Sequence, residues 1–328
     1  MIIKEEQNTN DNPITEENYY SYDAINFSSL KVFIDNPLLY KDMFINKTKE
    51  MGSTPAMEYG SKFHILVLEP NKLNELYIRE DDYNKESHEF FINNADQETL
   101  EKFNKSGATS GNSTYAQWIK RNFQSDKILL KDKEFDDLQE MRLNTNNCIR
   151  RLLKQHHGVA DIPKMRFEKP LTWWDKETNL RCKTKIDAMF KYLVSKEKRI
   201  GIIELKSTAE IKELKLSKLE DGLGYEHKEF ESKHYYLQVG FQIMALLENG
   251  FIDAPYQLKY YWVECCKKNK YSDYSLLSEE FMNVCLKSYR IYMDKLKYAR
   301  DHNKWLLANR TSHKLIYPSD YLVKKLEV

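Results

Sequence analysis

Apolar positions recur every three or four residues along the first half of the chain and then give way to alternating or continuously apolar runs, which predicts helices first and strands after them. Ser28 reads as the N-cap of a short helix ending near Asp35, and Pro37 opens a second one holding Leu38, Leu39 and Phe44. After Pro55, the spacing of Tyr59, Phe63, Leu66 and Val67 predicts a helix that carries His64 and stops before Pro70. Residues 80–112, rich in Asp, Asn, Glu and Ser, predict a loop or weakly ordered insert, followed by helices over 114–123 and 135–155. Residues 164–174, 180–194 and 200–208 then read as a three-stranded meander with turns at 175–179 and 195–199. A charged helical segment is predicted over 209–219, a break at 222–224, and a long helix over 232–248 stopped by Gly250. A last strand over 256–264 and an amphipathic helix over 279–307 complete the pattern, and no internal repeat is visible.

Residues 1–24 are polar and acidic with little apolar content, and predict a flexible arm. The remainder, 25–328, reads as one domain with a helical part over 25–160 and the sheet and its helices over 161–328. Across 328 residues, 51 Lys and Arg stand against 50 Asp and Glu, so no global field draws the chain to a polyanion and any such site must be local. No run approaches the roughly 20 apolar residues of a membrane span, and the polar N-terminus is unlike a secretory signal. The expectation is therefore a cytoplasmic protein with no membrane partner. Five cysteines without C-x-x-C spacing disfavour a disulfide framework, a zinc knuckle or an iron–sulfur cluster, and read as buried thiols.

The candidate chemistry centres on Asp187 near the end of one predicted strand and on Glu204, Leu205 and Lys206 in the next. Alternation puts Glu204 and Lys206 on one face and Leu205 on the other, and a hairpin can bring Asp187 beside the pair. Two converging carboxylates suit Mg²⁺ or Mn²⁺, hard cations that also bind phosphate oxygens, and an adjacent lysine can stabilise growing negative charge. An acidic residue two before a basic one arises about eight times by chance in a chain this charged, so the triplet alone is weak. Its context is stronger: the apolar run from Ile200 to Ile203 predicts a central strand, where a charged pair is costly unless it is paired or binds metal. Arg181, Lys183 and Lys185 alternate along the preceding strand as candidate DNA contacts. From 181 to 206, eight basic residues face three acidic ones, a local +5 suited to a phosphate backbone, although such a run also fits a solvated hairpin.

In four ordered blocks the sequence resembles the PD-(D/E)XK nuclease superfamily, and within it the RecE-like exodeoxyribonuclease VIII branch of phages and prophages. The blocks are Thr54 to His64 with Leu68, Glu69 and Pro70; Glu168, Trp173, Trp174 and Asp175 with Leu180 to Asp187; Ile202 to Thr208; and Tyr235 to Phe241. The resemblance spans roughly residues 25–310. It implies an α/β fold with a restriction-endonuclease-like αβββαβ core, and a Mg²⁺-dependent exonuclease acting on ends of linear double-stranded DNA, with Mn²⁺ able to substitute. It implies that Asp187, Glu204 and the Leu205 main-chain carbonyl bind the metal and that Lys206 acts on the attacking water. His64 would complete or tune the metal site, Glu168 would hold a second ion or water, and Tyr235 and Gln238 would face the scissile strand. It further implies 5′ to 3′ resection for recombination, a ring-shaped homo-oligomer, a single-strand annealing partner of the RecT type and a phage or prophage origin in a bacterial host. Ile186 stands where many members have Pro, and Tyr236 where close relatives have His. An endonuclease with the same metal site, or a silent DNA-binding protein on the same fold, are the alternatives; the second would be expected to lack Asp187, Glu204 or Lys206.

Overall fold

The computed structural model describes residues 14–50, 52–157, 165–211, 215–219, 222–226, 230 and 232–305. The first helix, α1 (Phe27–Asp35), starts one residue before the predicted cap because Asn26 accepts from the Ser29 amide while the Ser29 hydroxyl accepts from the Asn26 amide. This reciprocal box satisfies two otherwise orphaned donors, which a cap at Ser28 does not. The Asn36 side chain caps α2 (Pro37–Tyr40), which runs into a π turn over Lys41–Ile45. Thr54 caps α3 (Pro55–Leu68), and Pro70 opens α4 (Pro70–Leu76), leading into the short β1 (Tyr77–Arg79).

The segment 80–112, expected as loop, is mostly helical: α5 (Glu80–Asn94) and α6 (Gln97–Ser106) pack with α7 (Thr114–Asn122). Phe91, Tyr115 and Ile119 form a small separate core there, with Phe103 and Trp118 against it. A few aromatics at helical spacing suffice to hold helices whose other positions are almost all polar. β2 (Ile128–Leu130) pairs with β1, and α8 (Asp132–His157) follows.

The meander is present as β3 (Arg166–Asp175), β4 (Leu180–Val194) and β5 (Glu197–Thr208). Ser195 and Lys196 both take positive φ, so a two-residue turn joins Val194 to Glu197: β4 ends where expected, and β5 begins three residues earlier than expected. After Ala209 the described residues include a hairpin, β6 (Lys215–Leu219) with β7 (Gly222–Glu226), where a charged helix and a glycine break were predicted. Backbone pairing of Lys215 with Glu226 and Leu219 with Gly222 accommodates the glycines within a strand. The chain continues through α9 (Tyr235–Glu248), β8 (Leu258–Cys266), the unpredicted β9 (Ser272–Leu276) and α10 (Glu279–Asp301).

The main sheet has the order β3-β4-β5-β8-β9, antiparallel except for the parallel β5–β8 pair. One face packs on α1, α9 and α10 through Ile202, Phe241, Tyr260 and Tyr289; the other packs on α3 and α8 through Phe63, Leu152, Ile203 and Leu205. β5 feeds both cores from alternate residues, the signature of a strand buried on two sides. In β3 and β4 the alternation changes sides partway. Leu171, Trp173, Cys182 and Ile186 face the α9 core, whereas Phe167, Ala188 and Phe190 face the α8 core. The change falls at Glu168, whose φ is +48°, and at Asp187 opposite it.

Two features fix the ends of this frame. Asp175, fully buried, accepts from the Thr178 amide and hydroxyl (2.9 and 2.7 Å), from the Tyr289 hydroxyl (2.7 Å) and from both terminal nitrogens of Arg290 (2.9 and 2.5 Å), tying α10 to the end of β3. Residues 14–24, expected as part of a flexible arm, form a turn packed on β4: Lys183 donates to the carbonyls of Tyr19 (2.6 Å) and Tyr22 (2.7 Å), and Ile25 bridges Cys182. Residues 1–13 of that expected arm lie outside the described residues. All five cysteines are buried free thiols, and no helix among the described residues is long and apolar enough to cross a membrane.

Candidate metal centre

Past Ala188 and Ile203, β4 stays with β3 while β5 stays with β8, so the two central strands part. Asp187 and Glu204 are the first residues beyond the last pair, one on each arm of the fork. From the α3 layer His64 reaches in, its Nδ1 3.6 Å from Asp187 Oδ2. From β3 comes Glu168, swung out of regular alternation by its positive φ. One ligand atom each from His64, Glu168 and Asp187 lies within 4.8 Å of the other two, a group that could hold a metal ion.

Glu204 stands beside this group with its oxygens engaged. Oε1 accepts from Lys206 Nζ (2.6 Å) and from the Gln238 amide; Oε2 accepts from Gln242 Nε2 (2.8 Å). Three of the roughly four acceptor positions of a carboxylate are thus taken, which leaves one for a cation. Leu205 contributes through its main chain: its amide donates to Asp187 Oδ2 (2.8 Å), and its backbone also hydrogen-bonds His64.

The electrostatics follow from burial. Desolvation and the neighbouring Asp187 charge push Glu168 up to about 7. Burial likewise raises Asp187 and Glu204, although Lys206 works against both shifts. Burial and the Lys206 charge bring His64 down to about 4, so its imidazole is neutral at physiological pH and able to ligate. Lys206 resists its own desolvation because Glu204 and Asp187 flank it, and its pKa is raised. With Lys185 paired to Glu168 and Lys206 to Glu204, two ammonium groups face three buried carboxylates. Three carboxyls whose ionised forms a bound cation would favour, their hard oxygen donors and the neutral imidazole fit Mg²⁺ or Mn²⁺.

The remaining expected residues separate. Gln238 reaches the site through Glu204. Tyr235 packs on Trp262 and Phe230, and Lys206 Nζ lies 5.5 Å from the Tyr235 ring and 5.1 Å from that of Trp262, so Tyr235 positions the lysine. Tyr236 bonds His234, which also faces Asp35. Lys183, expected on a DNA-binding face, is buried with its ammonium on two carbonyls; that engagement removes it as a phosphate contact. Lys185 is half-buried against Glu168, and Arg181 stacks on Trp174 and Tyr22 (4.8 and 5.5 Å). Gln242 is absent from the residues expected at the site, and Tyr260, expected among the aromatics as core or as a stacking residue, has a supporting role that the sequence does not indicate. The fully buried Tyr260 hydroxyl donates to Gln242 Oε1 (2.6 Å), which turns the Gln242 amide nitrogen toward Glu204. The available signal was a second glutamine four residues after Gln238 on an otherwise apolar helix.

No family model and no curated protein matches the chain. Among solved structures, a protein from Eubacterium rectale described as a candidate exonuclease aligns over 97% of this chain and 100% of its own, at 14% identity and TM-score 0.49. SSO0001 aligns over 44% of this chain and 56% of its own, at 12% identity and TM-score 0.23. Likeness at these values carries no argument about activity, so the functional reading rests on the residues of the fork.

Proposed function

We propose that the chain is a metal-dependent DNA nuclease with a PD-(D/E)XK-type core, acting as an exonuclease on ends of linear double-stranded DNA. The observation that carries this reading is the convergence of His64, Glu168 and Asp187 at the fork, with the Glu204–Lys206 pair directly beside them. The helix, three strands, helix, strand order of α3, β3 to β5, α9 and β8 is compatible with the αβββαβ core of the sequence resemblance. Mg²⁺ dependence, 5′ to 3′ polarity, a ring-shaped homo-oligomer and a RecT-type annealing partner in phage-type recombination belong to the same proposal and are supported by the motif blocks alone.

A divalent cation held by His64, Glu168 and Asp187, with Glu204 adjoining, would supply electrophilic assistance to a phosphodiester and lower the pKa of bound water. Lys206 keeps its proton and offers an ammonium group where negative charge develops on the phosphoryl oxygens. Glu204 holds that ammonium in place and is itself fixed by Gln238 and Gln242. Neutral His64 adds a ligand without adding charge, and Tyr235 and Trp262 shield the lysine from bulk water.

The test compares linear and covalently closed circular forms of one plasmid with Mg²⁺, wild type beside Glu204→Ala. Loss of the linear form only, abolished by the substitution, is expected. Cutting of the circle would replace the exonuclease with an endonuclease, and no metal-dependent loss of either form would overturn the nuclease.

A further inference from the structure

The turn over residues 15–22 is built rigidly onto the catalytic sheet. Thr15 and Asn18 exchange side-chain and main-chain hydrogen bonds, the Tyr22 amide donates to Asn18, and buried Lys183 clamps the carbonyls of Tyr19 and Tyr22. A buried lysine committed to main-chain acceptors is an expensive anchor, and what it anchors is an aromatic surface. Tyr20 is 81% exposed, braced edge-on against Tyr19 at 5.4 Å, with Lys185 Nζ 5.6 Å from its ring. Lys185 in turn is the partner of Glu168, so Tyr20 stands at the rim of the carboxylate group. Along the same face of β4, away from the fork, Arg181 lies between Tyr22 and Trp174, itself 47% exposed.

Single exposed aromatics are ordinary, but here they alternate with cations in a row that begins at Glu168. From Asp187 to Arg181 the strand runs about 20 Å, long enough for several nucleotides. Rings offered edge by edge with interleaved Lys and Arg suit unstacked bases, whose π faces they can cover, and a backbone that passes between the cations. Along a duplex the π faces of the bases are stacked inside, so that such a surface meets phosphates and groove edges and not the faces it would stack on.

We propose that this row, Tyr20, Lys185, Tyr22, Arg181 and Trp174, is a binding track for single-stranded nucleic acid leading to or from the metal centre. The proposal deepens the nuclease reading and rests on it for its direction, but binding can be measured without cleavage.

The experiment titrates the full chain into a fluorescent 20-nucleotide oligothymidylate and, separately, a blunt duplex of equal length, in EDTA, following anisotropy. Tyr20→Ala and Trp174→Ala should each weaken oligothymidylate binding by roughly five- to a hundredfold, and Tyr20→Phe and Trp174→Phe should restore most of it, because the ring rather than the hydroxyl or the indole nitrogen does the stacking. The duplex should be affected far less. Unchanged oligothymidylate affinity in both alanine variants would overturn the track, as would an equal loss for duplex and single strand. Failure of the nuclease reading shows separately, as a wild type without metal-dependent cleavage whose oligothymidylate binding still depends on Tyr20.

Discussion

Replacing Asp175 with asparagine keeps the shape of the side chain that ties α10 to β3 and removes its charge. Burial disfavours that charge, but hydrogen bonds from Arg290, Thr178 and Tyr289 outweigh it and hold the carboxyl at about 2 against an ordinary 3.8. That depression is worth about 2 kcal/mol of stability, at roughly 1.4 kcal/mol for each tenfold change in proton affinity. Because the folded pKa is depressed, this stabilisation is complete well above the unfolded value and is lost as the pH falls through 4 toward 2, with about half of it remaining at pH 3. Urea unfolding of wild type and Asp175→Asn at pH 7 and pH 3 measures it directly. The variant should be less stable by about 2 kcal/mol at pH 7, with the gap roughly halved at pH 3. Equal stabilities at pH 7, or a deficit that does not shrink on acidification, would refute the assignment of Asp175 as a charged tether.

Gly240→Ala should destabilise by about 1–3 kcal/mol in the same assay, since a Cβ there would come within 2.6 Å of the Cys285 carbonyl and 2.9 Å of Tyr289 Cβ, where α9 and α10 touch. Lys206→Ala should abolish plasmid degradation while sparing most DNA binding, and retained turnover would remove the lysine from the chemistry. Asp187→Ala should weaken Mn²⁺ binding in calorimetry; unchanged affinity would contradict its role as a ligand. Gln242→Leu leaves the Tyr260 hydroxyl without its acceptor and Glu204 Oε2 without a donor, so it should cost about 1–3 kcal/mol in urea unfolding and slow cleavage, whereas a wild-type rate would show that Glu204 needs no such support.

The sheet was legible because β4 and β5 combine period-two patterning with a long apolar run, and α3 because Pro55 and Pro70 bracket it. What the chain hides are elements held by few contacts. β9 is a short edge strand with little apolar content, and α5 and α6 rest on a handful of aromatics within polar sequence. Within the site, Asp187, Glu204 and Lys206 could be placed from alternation, and their nearness to His64 and Glu168 followed only from motif resemblance. That Glu204 is gripped by two amides was illegible, because a glutamine on an apolar helix carries no mark of which carboxylate it will meet. Lys183 misled for the opposite reason: alternation put it on a face, and nothing in the pattern showed that the turn over residues 15–22 would cover that face.

The change of sides at Glu168 and Asp187 makes the centre a seam between two hydrophobic cores. On one side of it Leu171, Trp173, Cys182 and Ile186 are phased to α9 and α10; on the other Phe167, Ala188 and Phe190 turn to α8, while Met189 between them returns to the α9 core. Gaining or losing one residue in either strand would leave the segment on one side of the seam in phase and throw the segment on the other side out, with a carboxylate carried off the fork in the process. Length variation in this protein should therefore be confined to the ends of the hairpins, and the strand segments through the seam should tolerate exchange of side chains far better than any change in their number.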